Sequence, residues 1–321
     1  MKRLVYLIIQ LSVYVSLHAQ TVSRLQLVAD HPQKSFPESV PAGDFSGITP
    51  IDKNLYAVVD DKRGDGFYVF RISFDAGGDI LSVRNLGFRG DSLPGRDAEG
   101  IVYFPPQKTV FISGEQDNEV LEYDMKGRPT RRGIIMPDIF KKAVLNRGLE
   151  ALAYNEQTHL FWTTTERPLP GDSAHVLCCF NHDFQLVKRV AYAMDAPTAE
   201  ATEGSHVHGV SAMTALADGS LLVLEREAFI PEEKFGAWAN CKLYHFSPDA
   251  EAPKHLVHEW KTDISLFHQD FANYEGMCLG PRLADGSQVI LLVADSQHRY
   301  MGVLNDWFKT LVVRKAEDRQ Q

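Results

Sequence analysis

Short apolar runs separated by turn residues recur along the whole chain, while the three-to-four-residue spacing of a surface helix is scarce. Five stretches share one pattern: FSGITPIDKNLYAVVDD (45–61), AEGIVYFPPQKTVFISGE (98–115), LEALAYNEQTHLFWTTTE (149–166), VSAMTALADGSLLVLERE (210–227) and YEGMCLGPRLADGSQVILLVADS (274–296). Each opens on Ser or Glu, followed by Gly or Ala and then an apolar residue. Each runs through a short strand and a turn into a second strand, rich in β-branched and aromatic residues, that closes on an acid. The openers are Ser46, Glu99, Glu150, Ser211 and Glu275, at successive gaps of 53, 51, 61 and 64 residues.

A period of about 50–60 residues with several strands per unit marks propeller blades. The tetrapeptide ADGS at 217–220 and 284–287 lies between apolar runs and predicts tight hairpins. Only 137–145 and 306–311 predict short helices. RLQLVAD near the start and TLVVRK near the end read as leftover strands, and pairing them closes a further blade and removes open sheet edges. The expected fold is all-β: a β-propeller of six blades, closed by its N- and C-terminal strands, with room for a seventh in the longer gaps.

In a propeller the innermost strand of each blade lines a central channel, so equivalent positions form rings. The Ser/Glu openers make one ring, and the closing acids Asp60, Glu115, Glu166, Glu225 and Asp295 gather beside it. So many carboxylates at one mouth repel unless a cation, a proton or arginines compensate them.

Composition narrows the class. The chain has 321 residues, 44% hydrophobic and 23% charged, enough for one large core. Its formal net charge is −9, with no basic stripe, which argues against a nucleic-acid partner. MKRLVYLIIQLSVYVSLHAQ has the basic start, apolar middle and small-residue end of a secretory signal, with cleavage expected after Ala19. A single exported domain over 20–321 is expected, periplasmic or secreted, monomeric and without a membrane span. Cys178, Cys179, Cys241 and Cys278 allow three pairings, and buried free thiols are the simpler reading. The adjacent pair is expected on opposite strand faces.

FSGIT, YAVVDD, DAEGIVY, ISGE, LEALA, LLVLERE and NYEGMCLG…LLVADS together resemble the esterase-like-activity-of-phytase family, or phytase-like domains, over about residues 45–307. The resemblance implies a β-propeller rich in acidic positions and a phosphoester-hydrolase role. It implies that Glu99, Glu115, Glu150, Glu166, Glu225, Glu275 and Asp295 are the family's acids. Ser46 and Ser211 depart from that pattern.

These acids are the candidate metal ligands, calcium being the natural cation for clustered carboxylates. Glu99, Glu150 and Glu275 are also candidate catalytic groups, with Glu275 the first choice. The competing reading is structural: acids that accept backbone N–H groups or pair with Arg63, Arg96, Arg147, Arg167 or Arg226. EGSHVHG (203–209) offers His206 and His208, which alternate around Val207 and face one way, as bases or ligands with Glu203. An exposed loop with incidental histidines is the alternative. Arg63, Arg167 and Arg226 follow the strand-end acids and are the candidate phosphate clamps, or else ion-pair partners of those acids. The leading functional expectation is metal-assisted hydrolysis of a small phosphorylated molecule. The alternative is a non-catalytic propeller that binds a ligand or protein.

Overall fold

The apolar runs become strands that are buried on both faces. In a computed structural model, residues 24–90, 94–144, 147–198, 204–232, 235–251, 253–265 and 269–316 are described. The segment read as a secretory signal and Glu203 lie outside these residues.

The first strand, β1 (Leu25–Asp30), comes ahead of the repeats. Blade one is β2 (Phe45–Asp52), β3 (Leu55–Asp60), β4 (Gly66–Phe74) and β5 (Ile80–Gly90). Blade two is β6 (Ala98–Phe104), β7 (Thr109–Gly114), β8 (Glu119–Tyr123) and β9 (Pro129–Ile134). Blade three is β10 (Leu149–Asn155), β11 (Leu160–Thr165), β12 (His175–Phe180) and β13 (Leu186–Tyr192). Blade four is β14 (Ser205–Ala215), β15 (Leu221–Ile230), β16 (Trp238–Phe246) and β17 (Lys254–Asp263). Blade five is β18 (Asn273–Arg282), β19 (Gln288–Asp295) and β20 (Phe308–Lys315), with β1 as its outermost strand.

Among the described residues there are therefore five sheets, not the six expected from the sequence. The two terminal strands do pair, with Leu25 opposite Lys315 and Asp30 opposite Leu311. They complete the fifth sheet instead of making a sixth. The segment 306–311, expected as a helix, contributes the start of β20. The other expected helix is a short 3₁₀ turn at Asp138–Lys142. Both ADGS segments form the expected hairpin turns, with Gly219 and Gly286 at positive φ (90° and 82°) that their lack of a Cβ permits.

The sheets run in a ring. Each innermost strand packs beside the next, from β2 through β6, β10 and β14 to β18, and β18 lies against β2. The core is divided the same way, into five principal apolar clusters that each join successive blades. In blade four, Leu222 and Leu224 face blade five, while Leu221 and Val223 face blade three. That alternation explains why second strands read as unbroken apolar runs: a blade interior has no solvent face. Cys178 and Cys179 follow it too, pointing into different clusters as free buried thiols.

Candidate functional site

The opener motif of acid or serine, small residue and apolar residue is a cross-section of the channel. In every inner strand the opener sits at a register shift. The pairing skips from Phe45 to Gly47, Ala98 to Gly100, Leu149 to Ala151, Val210 to Ala212 and Tyr274 to Gly276. A β-bulge re-aims one side chain, and here it is repeated at five equivalent places. Ser46, Glu99, Glu150 and Glu275 line the central channel. Below them, Gly47, Gly100, Ala151, Ala212 and Gly276 let the inner strands crowd together. A Cβ on Gly47 would sit 2.6 Å from the Glu99 carbonyl oxygen, and one on Gly100 would sit 2.7 Å from the Leu152 Cβ. The third position supplies Ile48, Ile101, Leu152, Met213 and Met277, all at most 5% exposed, an apolar collar beneath the acids.

Above the openers lies a mouth of about 300 Å³. Its upper ring corrects the expectation drawn from the closing acids. Asp61, Glu115, Glu166, Arg226 and Asp295 line it, whereas Asp60 and Glu225 do not. Register gives the reason. Residues two before each opener face Asp61, Glu115, Glu166, Arg226 and Asp295 across the hairpin. Asp60 and Glu225 are one position away, opposite Phe45 and Val210, and a one-residue step turns a strand side chain to the other face. Glu225 instead accepts the Tyr192 hydroxyl at 2.7 Å and pairs with Lys254 at 2.6 Å.

The ring is therefore four acids and one arginine, and Arg226 reaches across it. Its guanidinium donates to Glu275 Oε1 at 2.5 Å, Asn273 Oδ1 at 2.7 Å and Glu166 Oε1 at 2.8 Å. Arg147 takes the other Glu166 oxygen at 2.8 Å. Burial alone would lower the Arg226 pKa, but Glu275, Glu166 and Glu150 hold it above its usual value. This side of the mouth is the ion-paired arrangement that the structural reading expected.

On the other side Glu99 has no ion pair among the described residues, Glu150 is attracted by Arg226 without a hydrogen bond to it, and Asp61 and Asp97 share Lys62. Glu99 and Glu150 are 8% and 6% exposed, and neither carboxylate has a hydrogen bond among those of the described residues. Burial first, then Glu150 and Glu275, pushes the Glu99 pKa well up. Burial first, then Glu166 and Glu275, does the same to Glu150 against the pull of Arg226. Burial and Glu275 raise Asp295, and burial raises Asp61 to about 7 against the pull of Lys62. Carboxylate oxygens of Asp61, Asp97 and Glu99 lie within 4.8 Å of one another. Lys62 Nζ binds Asp61 and, at 2.9 Å, Asp97, but its side chain is 64% exposed. An all-oxygen donor set with unpartnered buried members suits a hard divalent cation such as calcium.

The remaining sequence candidates fall elsewhere. His206 and His208 do face one way, but it is away from the mouth, which Ser205 and Val207 line. His206 Nε2 lies 3.0 Å from Glu227 Oε1, and His208 borders a small crevice with Glu225 and Lys242. Arg63 stacks on Tyr68 and Phe88, its guanidinium 5.2 and 4.8 Å from the ring centres. Arg167 donates to the His206 carbonyl at 3.3 Å. Asp97, Lys62 and the role of Asp61 escaped the sequence reading. The column two residues before each opener (Asp44, Asp97, Gly148, Gly209, Asn273) would have shown Asp97.

Three solved structures cover most of the chain at low identity. An endo-arabinase from Bacteroides thetaiotaomicron is 10% identical (TM-score 0.45), over 90% of this chain and 99% of that one. A member of the DUF4221 family from Bacteroides vulgatus is 8% identical (TM-score 0.44), over 92% and 99%. A streptogramin B lyase is 11% identical (TM-score 0.41), over 89% and 98%. No curated protein matches the sequence. The family model described as esterase-like activity of phytase matches residues 40–298, and the chain belongs to this phytase-like family.

Proposed function

We propose that this protein is an exported, monomeric propeller that hydrolyses a small phosphorylated molecule with the help of a divalent cation, most simply calcium. The observation that carries the reading is the asymmetry of the mouth. Glu166 and Glu275 are ion-paired to Arg226 and Arg147, while Glu99, 8% exposed, has no ion pair among the described residues and lies beside Asp61 and Asp97. Asp61, Asp97 and Glu99 would hold the cation, which would polarise a phosphoryl oxygen and favour hydroxide over water. Glu150, whose pKa burial and Glu166 push well above the usual carboxylate range, is the group to protonate the leaving oxygen. Arg147 and Lys62, whose side chains are 37% and 64% exposed, are the mouth's cationic groups that still meet solvent and can reach substrate phosphate. They replace Arg63 and Arg167 in that role. Arg226 keeps Glu275 and Glu166 in place.

The test is phosphate release from a monoester, a diester and inositol hexakisphosphate by chelator-stripped protein, with and without added calcium. The reading expects calcium-dependent turnover that Glu150→Gln cuts by roughly 10²-fold or more, the scale of a lost acid–base group. No turnover on any of the three, in protein shown to bind calcium, would leave the alternative of a non-catalytic propeller that binds a ligand or a protein.

A further inference from the structure

Next to the mouth, blade one carries a second group of acids. Carboxylate oxygens of Asp44, Asp60 and Asp61 lie within 4.8 Å of one another, and Asp61 also belongs to the Asp61–Asp97–Glu99 group. The chain sets this geometry at the root of the first hairpin, where the Asp61 amide donates to the Asp44 carbonyl at 3.0 Å and Asp60 lies opposite Phe45. Asp44 is only 8% exposed, and its Oδ1 is buried with no hydrogen-bond partner among the described residues. Asp61 Oδ1 is in the same condition, while its Oδ2 takes Lys62. A buried carboxylate oxygen left without a donor carries its full desolvation cost, so such atoms point to a missing partner. The nearby positive charges leave the Asp44 and Asp61 Oδ1 atoms without a donor: Lys62 spans Asp61 and Asp97, Arg63 lies on two aromatic faces and attracts Asp60, and Arg299 is bound to Asp306.

We propose that Asp44, Asp60 and Asp61 form a second site for a hard divalent cation, and that Asp61 bridges it to the cation at Asp61–Asp97–Glu99. The proposal rests on the first cation of the function proposed above and makes the centre a pair. The donors are all oxygen, which selects calcium or a similar hard ion over zinc or copper. Three carboxylates leave positions for water, backbone carbonyls or substrate oxygens. A pair sharing one carboxylate is also suited to hold both the attacking and the leaving oxygen of a phosphoryl transfer.

Calorimetric titration of the chelator-stripped full chain with calcium, with native mass spectrometry for stoichiometry, tests this. The expected wild-type result is two ions per chain. Asp44→Asn should keep one and lose the other, Glu99→Gln should show the converse loss, and Asp61→Asn should weaken both. Loss of an outer-shell partner already costs about 10–100-fold in affinity, so loss of a ligand should cost at least that much. Asp60→Asn serves in place of Asp44→Asn if the latter melts as an unfolded chain. One ion in the wild type, lost in Glu99→Gln and unchanged in Asp44→Asn and Asp60→Asn, would overturn the second site and spare the first. No ion at all would overturn both.

Discussion

Arg226 is the strongest test of how the mouth is held together. Its side chain is 4% exposed and serves Glu275 and Glu166 at once, themselves 14% and 4% exposed. Arg226→Met keeps much of the volume and removes the charge. Breaking a buried ion pair by deleting one partner costs about 3–5 kcal/mol, because the carboxylates left behind stay buried and unpaired. The unfolding entropy is about 2.1 cal/mol/K per residue, so for a chain of roughly 300 residues that cost lowers Tm by about 5–8 °C. Thermal melts in chelator measure it. Adding Glu275→Gln to Arg226→Met should restore part of the loss, since residues in one network couple by about 0.5–3 kcal/mol. Calcium should also narrow the deficit. An Arg226→Met protein that melts within about 1 °C of the wild type in chelator would refute the claim that this arginine compensates the ring.

Two further outcomes follow from the geometry. Burial holds Asp61 at about 7, against an ordinary value of 3.8, so between those limits the folded state binds the extra proton and metal-free stability must fall as pH rises. Calcium needs the deprotonated acids, so its stabilising effect should grow over the same window; a metal-free Tm that rises from about pH 5 to about pH 7 would contradict this. Asp218, held down at about 2 by its Ser220 and Lys315 contacts despite burial, titrates below that window. Gly47→Ala should cost at least about 1–3 kcal/mol in a denaturant melt, because its Cβ would meet the Glu99 carbonyl at 2.6 Å and the Ile101 amide at 3.1 Å; an unchanged midpoint would mean that the inner strands are free to move apart.

The repeat was legible because every blade needs the same cross-section. Bulged opener, small residue and apolar collar recur in sequence as SGI, EGI, EAL, SAM and EGM. The blade number was not legible in the same way. Strands β1 and β20 look like the rest, and only pairing shows that they finish the fifth sheet. Local counting also misplaced two closing acids. The bulge beside each opener shifts the register, so Asp60 and Glu225 resemble the ring acids in sequence yet face elsewhere, while Asp61 and Arg226 take the ring positions. His206 and His208 were rightly placed on one strand face. Which face it was depends on the partner strand: β14 pairs with β15 so that His208 stands opposite Glu227. Lys62 and Asp97 come from neighbouring blades and meet only in three dimensions, at 2.9 Å.

The central claim is that Asp61, Asp97 and Glu99 hold a hard cation. Its most direct test is an anomalous-difference map from crystals grown or soaked with terbium in place of calcium, at a wavelength where the ion scatters strongly. The account predicts a peak bounded by the carboxylates of Asp61, Asp97 and Glu99, reduced or absent in Glu99→Gln crystals prepared identically. A map with no peak among these three residues, and Lys62 still seated between Asp61 and Asp97, would contradict it.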